Sequence, residues 1–293
     1  MSEKIVLIDG HSILNRAFYG LPDLTNAEGL HTNAIYGFLT IMFKILEEEK
    51  PEYLTVAFDV HAPTFRHEMY DAYKGTRKPM ADELRQQVPV IKEVLGAMGI
   101  KTIEQAGLEA DDLLGTISRR SEERGMEVSV ISGDRDLLQL ATEHVKIRIP
   151  KTKQGRTEVE DYYSEDVKNR YQVTPLEFID LKALMGDTSD NIPGVPSIGE
   201  KTAAKIITEY HSIENAYAHV EELKPPRVSK ALKEHWDLAV MSKTLATIEV
   251  HADFAYDFEE ARLGNIYTEE AYAYFQRLQF KNCLLYTSPS PRD

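Results

Sequence analysis

The sequence predicts an α/β fold: a mainly parallel β-sheet with flanking helices, followed by a mostly helical region. Two observations predict it. Short β-branched or aromatic runs alternate with longer segments of helical periodicity up to about Pro150, a pattern typical of β-α-β units. Beyond that point short helical segments dominate. Strands connected through helices favour parallel pairing with right-handed crossovers.

Three short, apolar segments bounded by polar residues or glycine are predicted to be buried strands: Lys4–Ile8, Tyr53–Phe58 and Glu127–Ser132. The segments between them have apolar residues at helical spacing, in "NAIYGFLTIMFKILEEEK", "ADELRQQVPVIKEVLGAMGI" and "ADDLLGTISRRSEERG". We expect Pro89 to kink the second helix, because proline removes a helical hydrogen bond. The third helix is expected to end at Gly125.

The segment "IRIPKTKQGRTEVEDY" predicts a hairpin that turns near Gly155. After it, Ser164 and Thr174 are predicted to cap helices, since their hydroxyl oxygens accept from free amides at a helix start. Pro175 fits the first position of the second of these helices, where its missing N–H is not needed.

The pattern divides the chain into two regions and a tail. Residues 1–163 are predicted to form the α/β domain and residues 164–282 the helical region. The last stretch, residues 283–293 ("CLLYTSPSPRD"), continues neither pattern. It resembles translated vector sequence, with a disordered natural tail as the alternative, so it is left out of the fold prediction.

Composition limits the classes of protein. The chain has 293 residues, a net charge of -14 and a single cysteine, so it forms no internal disulfide. Its apolar runs are too short to span a bilayer, and its N-terminus lacks a signal-peptide pattern. We therefore expect a cytoplasmic monomer without membrane contact. The negative charge argues against coating of nucleic acid by bulk charge, and leaves either a dispersed acidic surface or a cluster that binds cations.

The acidic residues favour a cluster, because they follow the predicted strands. Ligands of open α/β sheets bind beyond the carboxyl ends of the strands, and parallel strands bring those ends to one edge. A further group opens a helix in "GLEADDLL". Any one of these residues could serve as a turn or cap residue, but seven at equivalent positions favour a shared site. The seven are Asp9, Asp59, Glu109, Asp111, Asp112, Asp134 and Asp136.

Carboxylates packed together raise one another's pKa, and a cation relieves the repulsion. The groups contain no cysteine and few histidines, so Mg²⁺ or Mn²⁺ is expected rather than zinc. Two such ions about 4 Å apart can stabilise the attacking and leaving oxygens of phosphodiester hydrolysis. The pattern therefore predicts a two-metal hydrolytic site.

The stretch "GDTSDNIPGVPSIGEKTA" adds Asp187 and Asp190, spaced to point toward one site, and completes a set of nine carboxylates. The turn that follows resembles a helix-hairpin-helix. Its small residues let amide groups approach a phosphate, and the next helix N-terminus favours an anion. The alternative is an ordinary helix-entry loop. With the aspartates beside it, we expect it to bind a DNA backbone without reading bases.

Five motifs occur in order: "LIDGHSILNRAFY", "AFDVHAPTFRHEMYDAYKGTRKPM", "GLEADDLLGT", "VISGDRDLLQL" and "GDTSDNIPGVPSIGEKTA". Together they resemble the 5′-3′ exonuclease (5′ nuclease) domain of bacterial DNA polymerase I, part of the wider flap endonuclease family. The resemblance extends from about Lys4 to Asn282. It implies a resolvase-like (PIN-like) sheet domain with a helical arch at about 62–95. It also implies a helix-three-turn-helix DNA-binding region, with its hairpin at about 186–208.

The resemblance also implies the reaction. The family cleaves 5′ flaps and degrades DNA from the 5′ end with two Mg²⁺ ions, and Mn²⁺ is expected to substitute. It implies a first metal held by Asp9, Asp59, Glu109 and Asp111, with Asp112 alongside. It implies a second metal held, partly through water, by Asp134, Asp136, Asp187 and Asp190.

In the motif "YKGTR" the resemblance places Lys74 and Arg77 on the scissile phosphate and Tyr73 on a base. Arg66 and Lys78 are further expected DNA contacts, because basic residues outnumber acidic ones locally. A solvated helix face is the alternative interpretation of this basic run.

At the hairpin the expected DNA contacts are Gly194, Val195, Ser197, Gly199, Lys201 and Thr202, with a K⁺ ion bound by its carbonyls as a further expectation. Ser197 stands where the family usually has glycine. A left-handed backbone there would cost serine more than glycine.

The resemblance implies, as substrates, DNA with a 5′ flap, a nick or a single-strand/double-strand junction, and RNA-primed 5′ ends. An N-terminal fragment of a polymerase and a stand-alone exonuclease both remain open. Two further alternatives remain open. An RNA-cleaving PIN nuclease is disfavoured by the arch, and a non-catalytic DNA-junction binder is disfavoured by the intact carboxylates. A haloacid-dehalogenase phosphatase is disfavoured because Asp9 is followed by Gly10 and His11.

Overall fold

A β-sheet forms the centre of the molecule in this computed structural model, which describes residues 2–153 and 156–281. Within those residues its strands are β1 (Lys4–Asp9), β2 (Tyr53–Ala57), β3 (Lys101–Ile103), β4 (Glu127–Ile131), β5 (Val145–Lys153) and β6 (Arg156–Tyr162). Their order is β3-β2-β1-β4-β5-β6. All neighbouring pairs are parallel except β5 and β6, which are antiparallel.

The three predicted strands are confirmed as β1, β2 and β4, and they lie side by side. Because all three are parallel, their carboxyl ends share one edge, as the aspartate pattern required. Strand β3 was not predicted, since three half-buried residues give too little pattern. The hairpin is present as β5 and β6, and its predicted turn at Gly155 lies outside the described residues.

The helices of the described residues are α1 (Gly10–Gly20), α2 (Asn33–Glu49), α3 (Phe65–Met69), α4 (Asp82–Arg85), α5 (Gln87–Ala97), α6 (Ala110–Glu123), α7 (Ser164–Tyr171), α8 (Pro175–Met185), α9 (Glu200–Tyr210), α10 (Ile213–Ala218), α11 (Pro226–Glu234), α12 (Trp236–Ala246) and α13 (Glu269–Arg277). Short 3-10 turns occur at Asp136–Leu140, Val220–Glu222 and Glu259–Ala261. In the part of the chain that is described, no helix is long and apolar enough to cross a membrane.

Two details of the helix predictions change. Thr174 caps α8 and Pro175 is its first residue, as predicted, whereas Ser164 is the first residue of α7 and Tyr163 takes the cap position. The kink expected at Pro89 is instead a break between α4 and α5. Pro89 then lies in the first turn of α5, where its missing N–H removes no helical hydrogen bond.

Two hydrophobic cores cover the two faces of the sheet. Along β1, Ile5 and Leu7 join one core, while Val6 and Ile8 join the other. The first core contains buried residues of α6 and of the helical region from α7 to α12. The second contains residues of α1, α2, α5 and α13. The sheet is thus packed between two layers of helices.

The segment 62–95, here called the arch segment, differs from a continuous helical arch. It contains only the short helix α3, a stretch of turns, α4 and most of α5. Tyr73, within the turns, is 4% exposed and packs with Ile192 and Leu245 of the helical region. In the structure the middle of this segment therefore packs against the helical region.

Candidate active site

Asp9 connects strand β1 to the loop that follows β4. One carboxylate oxygen of Asp9 accepts from the Ser12 amide at 3.0 Å and so caps α1. The other accepts from the Ser132 hydroxyl at 2.7 Å. The Ser132 oxygen in turn accepts from the Asp134 amide at 3.0 Å. Ser132 was not singled out from the sequence, yet it fixes the relative positions of two predicted site carboxylates.

Asp59 brings helix α6 to the same edge. Its Oδ1 accepts from the Ala110 amide, at the start of α6, at 2.8 Å. The Asp59 amide donates to His11 Nδ1 at 3.1 Å, which makes His11 a second site neighbour that sequence reasoning missed. Because α6 begins here, its first turn presents Glu109 and Asp111 beside the aspartates of the strands.

The strand aspartates and the start of α6 lie close enough together to influence one another's charge. Burial raises the pKa of Asp9 to about 7, with the charges of Asp59 and Asp134 adding to the shift. Burial raises the pKa of Asp111 well above its ordinary value, and the charges of Asp9 and Asp134 raise it further. These four residues, Asp9, Asp59, Asp111 and Asp134, are called the acid cluster below. Asp9 and Asp111 are thus each destabilised as anions by desolvation and by like charge.

Asp136 and Asp187 form a neighbouring pair around a lysine. Burial raises the pKa of Asp136 to about 7, and the charge of Asp134 contributes. Lys182, on α8, places its Nζ 2.5 Å from Asp136 Oδ1 and also binds Asp187. Burial alone would raise the pKa of Asp187, but hydrogen bonds from Lys182 and Ser189 lower it. Lys182 was not predicted, because nothing in the sequence indicates that α8 points it toward the sheet edge.

Glu109 and Asp190 are also paired with basic side chains. Lys74 Nζ lies 2.7 Å from Glu109 Oε2 and 3.9 Å from Asp190 Oδ2, and Arg77 binds Asp190. Tyr73 donates its hydroxyl to Glu109 at 3.2 Å or to Asp190 at 3.3 Å. The predicted stacking of Tyr73 on a base is wrong for this conformation, because the ring is buried.

Arg66 and Asp112 are the clearest corrections. Arg66 was predicted to contact DNA and Asp112 to lie beside a metal, but they are 2% and 0% exposed. The guanidinium donates to both Asp112 oxygens at 2.8 Å. Asp112 therefore faces away from the acid cluster, because its position on α6 turns it inward toward Arg66. Lys78, predicted beside Arg66 as a DNA contact, is exposed.

The hairpin between α8 and α9 is built on two closely packed glycines. A Cβ on Gly194 would lie 2.3 Å from the Gly186 nitrogen, so only glycine fits there. The amides of Gly194 and Val195 donate to Ser242 and Leu184 at 3.0 and 2.8 Å, so neither amide is available for the predicted phosphate contact.

The later part of the hairpin remains accessible. Ser197 has a φ of 70°, the left-handed backbone that was expected to favour glycine. Gly199 takes the cap position of α9, and both residues are exposed. Lys201 is exposed and Thr202 half-buried in the first turn of α9. The hairpin thus presents a helix start with a basic side chain to solvent.

A cleft is lined both by the arch segment and by residues at the sheet edge. It has a volume of about 420 Å³ and is lined by Asp59, His61, Pro63, His67, Lys74, Arg77 and Glu109, among others. Among the residues described, no three Asp, Glu, His or Cys side chains are placed to hold one metal ion. The donors at the edge are nevertheless all carboxylates, and the buried ones need a counter-charge. Their chemistry fits a hard divalent cation.

The whole fold matches one family. A family model described as "5'-3' exonuclease, N-terminal resolvase-like domain" matches residues 4–172, and one described as "5'-3' exonuclease, C-terminal SAM fold" matches residues 173–269. The chain belongs to the 5′-3′ exonuclease family.

Its relatives in sequence are bacterial. The chain is 45% identical over 284 residues to "DNA polymerase I" of Bacillus caldotenax, covering 97% of this chain and 32% of that protein. It is 44% identical over 282 residues to the protein of the same name from Bacillus subtilis (strain 168), covering 96% of this chain and 32% of that protein. The chain therefore spans about a third of the length of these relatives.

Solved structures share the fold. The T5 5′-exonuclease with bound zinc ions has a TM-score of 0.68 at 21% identity, over 97% of this chain and 99% of that one. The catalytic core of Rad2 in complex with DNA substrate has a TM-score of 0.60 at 15% identity, over 97% of this chain and 91% of that one. At these identities the likeness concerns the fold alone.

Proposed function

We propose that this chain is a structure-specific nuclease that hydrolyses DNA phosphodiesters, both from the 5′ end and at 5′ flaps, with two divalent cations. The observation that carries the proposal is the acid cluster: four like charges converge at the carboxyl edge of the sheet, beside a cleft lined by Lys74 and Arg77, and desolvation destabilises Asp9 and Asp111 as anions. Such a concentration of unstable charge is typical of a functional site rather than of a structural one.

The acid cluster and its neighbours would hold the metal ions. Mg²⁺ is the proposed ion and Mn²⁺ the substitute, because all donors are hard oxygens. When bound, such ions make a water more acidic and stabilise charge on the reacting oxygens. The proposed ligands are Asp9, Asp59, Glu109 and Asp111 for one ion, and Asp134, Asp136, Asp187 and Asp190 for the other.

Lys74 and Arg77 are proposed to act on the scissile phosphate. Both are paired with Glu109 or Asp190, so they already stand at the acidic edge. If those carboxylates turn toward a cation, the two basic groups lose their partners and become free to bind a phosphate oxygen. A positioned ammonium or guanidinium then stabilises the negative charge that develops during hydrolysis. Tyr73 would hold Glu109 or Asp190 in place by donating its hydroxyl.

The hairpin is proposed to hold the duplex. The exposed start of α9, with Gly199, Lys201 and Thr202, offers amides and one ammonium to a DNA phosphate. Ser197 would contribute its amide, and a K⁺ ion at the hairpin carbonyls is part of the proposal. Because phosphates carry no sequence information, this contact fixes position and leaves base identity unread.

The proposed substrates are DNA with a 5′ flap, a nick or a single-strand/double-strand junction, and RNA-primed 5′ ends met in replication and repair. Two proteins of similar fold support this proposal: the T5 flap endonuclease forms a pseudo-enzyme-product complex with DNA and metal ions, and human GEN1 forms a complex with Holliday junction DNA. A cytoplasmic monomer is the proposed state. The polymerase activity of the longer relatives is outside this proposal.

The test uses DNA with a 5′-labelled flap. The chain is incubated with it in Mg²⁺, in Mn²⁺ and in EDTA, and the product ends are mapped at nucleotide resolution. We expect cleavage near the junction in either metal and none in EDTA. Blunt duplex of the same sequence is the control for structure specificity. Cleavage in EDTA would contradict the metal assignment, and equal cutting of all DNA forms would contradict structure specificity.

A further inference from the structure

The buried ion pair of Arg66 and Asp112 joins the arch segment to helix α6. Arg66 belongs to α3 and Asp112 to the first turn of α6. Two parallel hydrogen bonds of 2.8 Å connect them, and the pair is shielded from solvent. Because both oxygens of Asp112 face the guanidinium, this carboxylate is held as an internal partner rather than as a metal ligand.

The remaining donors and acceptors of the pair reach two further parts of the chain. Arg66 donates to the carbonyls of Leu245 at 3.0 Å and Thr247 at 2.7 Å, at the end of α12. Asp112 accepts from the amides of Glu109 at 3.1 Å and Glu249 at 2.9 Å. The pair therefore binds the arch segment, the start of α6 and the helical region into one network.

This network lies directly behind a proposed metal ligand. The Glu109 amide donates to Asp112, and its carboxylate lies 3.8 Å from Arg66 Nη1. A buried ion pair is a poor source of stability, because desolvation offsets much of its attraction and an apolar pair of similar volume often serves as well. The ion pair does, however, fix the Asp112 carboxylate at the start of α6, where it accepts from the Glu109 amide. An apolar pair could not provide this acceptor.

We propose that Arg66 and Asp112 are positioning residues for the hydrolysis reaction: they hold Glu109 and Asp111 at the sheet edge and fix the root of the arch segment over them. Neither residue touches DNA or metal. The proposal rests on the proposed nuclease function, and it concerns the rate of the chemical step rather than the binding of substrate.

The first experiment compares Arg66→Lys with Arg119→Lys. Lysine keeps the charge but cannot make two parallel hydrogen bonds. Arg119 is a matched control, because it forms an exposed ion pair with Glu123 on the same helix α6. We expect Arg66→Lys to slow single-turnover flap cleavage by about 10-fold or more, the scale on which supporting partners of a metal site act. Its Kd for flap DNA in Ca²⁺ should stay within about 2-fold. Arg119→Lys should change neither quantity.

The second experiment separates positioning from stability. Arg66→Met and Asp112→Leu each leave one buried charge unpaired and should lower the Tm, whereas the double variant should regain most of it. We expect the double variant to remain slow, since the amide of Glu109 has lost its acceptor. Recovery of the rate together with the Tm would show a purely structural role and overturn the proposal. A weaker Kd with a flatter salt dependence in Arg66→Met would overturn it too, since Arg66 would then contact phosphate.

A failure of the proposed nuclease function can be distinguished from a failure of the positioning role. If the unmodified chain cleaves no flap DNA in Mg²⁺ or Mn²⁺, the nuclease proposal fails. Hydrogen exchange in EDTA then still tests the pair: in Arg66→Lys, the amides of residues 109–113 and of Glu249 should exchange faster than in the unmodified chain, while those of β1 should not. Unchanged exchange at residues 109–113 would show that the pair does not hold this segment.

Discussion

Several charged residues at the sheet edge lower the stability of the fold. Burial and like charge raise the pKa of Asp9, Asp111 and Asp136, so each of these anions is held at a cost near neutral pH. Proteins retain such destabilising charges where the charges are needed for a reaction. Removing one charge should therefore affect stability and activity in opposite directions.

Asp111→Asn should raise the Tm of the metal-free protein at pH 8 by about 2–4 °C, the response of a domain of this size to roughly 1 kcal/mol. The reason is that the neutral amide removes a charge that desolvation and the neighbouring charges of Asp9 and Asp134 destabilise. Thermal unfolding in EDTA measures the shift, with Asp237→Asn on the exposed face of α12 as the control. A lower Tm would mean that Asp111 holds the fold together as an anion.

Asp134→Asn should reduce flap cleavage by more than about 100-fold and leave DNA affinity in Ca²⁺ nearly unchanged. Asp134 belongs to the acid cluster, whereas the proposed phosphate contacts lie on the hairpin and the arch segment. Single-turnover rates and fluorescence anisotropy measure the two properties. Near wild-type cutting by this variant would refute the assignment of metal ions to the acid cluster.

At the scale of elements, the hairpin and the arch segment have different physical characters. The hairpin is fixed by the contact of Gly186 with Gly194 and by amides bound inside the protein, so it is a rigid platform. The arch segment has no helix or strand between α3 and α4, and two basic residues of that stretch, Lys74 and Arg77, are bound to site carboxylates. Substrate is therefore expected to alter the arch segment more than the hairpin.

Lys201→Ala should weaken binding of duplex DNA similarly for all sequences and reduce the slope of log Kd against log salt by about 1, because one phosphate contact is lost. Lys230→Ala is the matched control, since Lys230 is an exposed lysine on another helix of the same region, α11. Titrations at several salt concentrations with two unrelated sequences measure the effect. A loss confined to one sequence would point to base recognition instead.

Trypsin should cut the free protein early in the arch segment, after Arg77 rather than after Lys74. The Arg77 side chain is 47% exposed, whereas that of Lys74 is 20% exposed and bound to Glu109. Flap DNA in Ca²⁺ should protect the site, because phosphates would then engage these residues. Mass spectrometry identifies the cut, with blunt duplex DNA as the control. Cleavage unaffected by flap DNA would count against contact between this segment and the substrate.

At the scale of the whole molecule, the two family segments share one hydrophobic core. Leu7 of β1 and Leu114 of α6 belong to the same core as Leu181 of α8 and Ile207 of α9. Neither segment could expose this surface to water without losing much of its stabilising burial. The sheet and the helical region should therefore unfold together.

We expect a single calorimetric transition, with the calorimetric enthalpy equal to the van't Hoff enthalpy. Leu181→Ala, at a residue 3% exposed in the shared core, should destabilise the protein by about 2–5 kcal/mol and speed hydrogen exchange in β1 as well as in α8. Leu176→Ala, on the same helix but 71% exposed, is the control and should do neither. Two separate transitions, or an effect confined to α8, would contradict a shared core.

Much of the architecture could be predicted because it follows from local pattern. The buried strands β1, β2 and β4 are continuous apolar runs, α2 and α6 have helical periodicity, and Thr174 with Pro175 is a strong helix start. The edge strand β3 and the break at Gln86 were missed, since a three-residue strand and a turn between two helices leave little pattern in sequence.

The sequence by itself determined that carboxylates would meet at one edge of a parallel sheet. Parallel strands end at the same edge, so acidic residues that follow the strands in sequence come together in space. Only the tertiary structure decided which of them face the cleft. Asp112 and Arg66 carry the same charges as Asp111 and Lys74, yet packing of α3 and α12 on α6 turns the first two inward to each other. Lys182 and Ser132 join the site for the same reason: the direction of a side chain depends on distant elements, which local sequence does not encode.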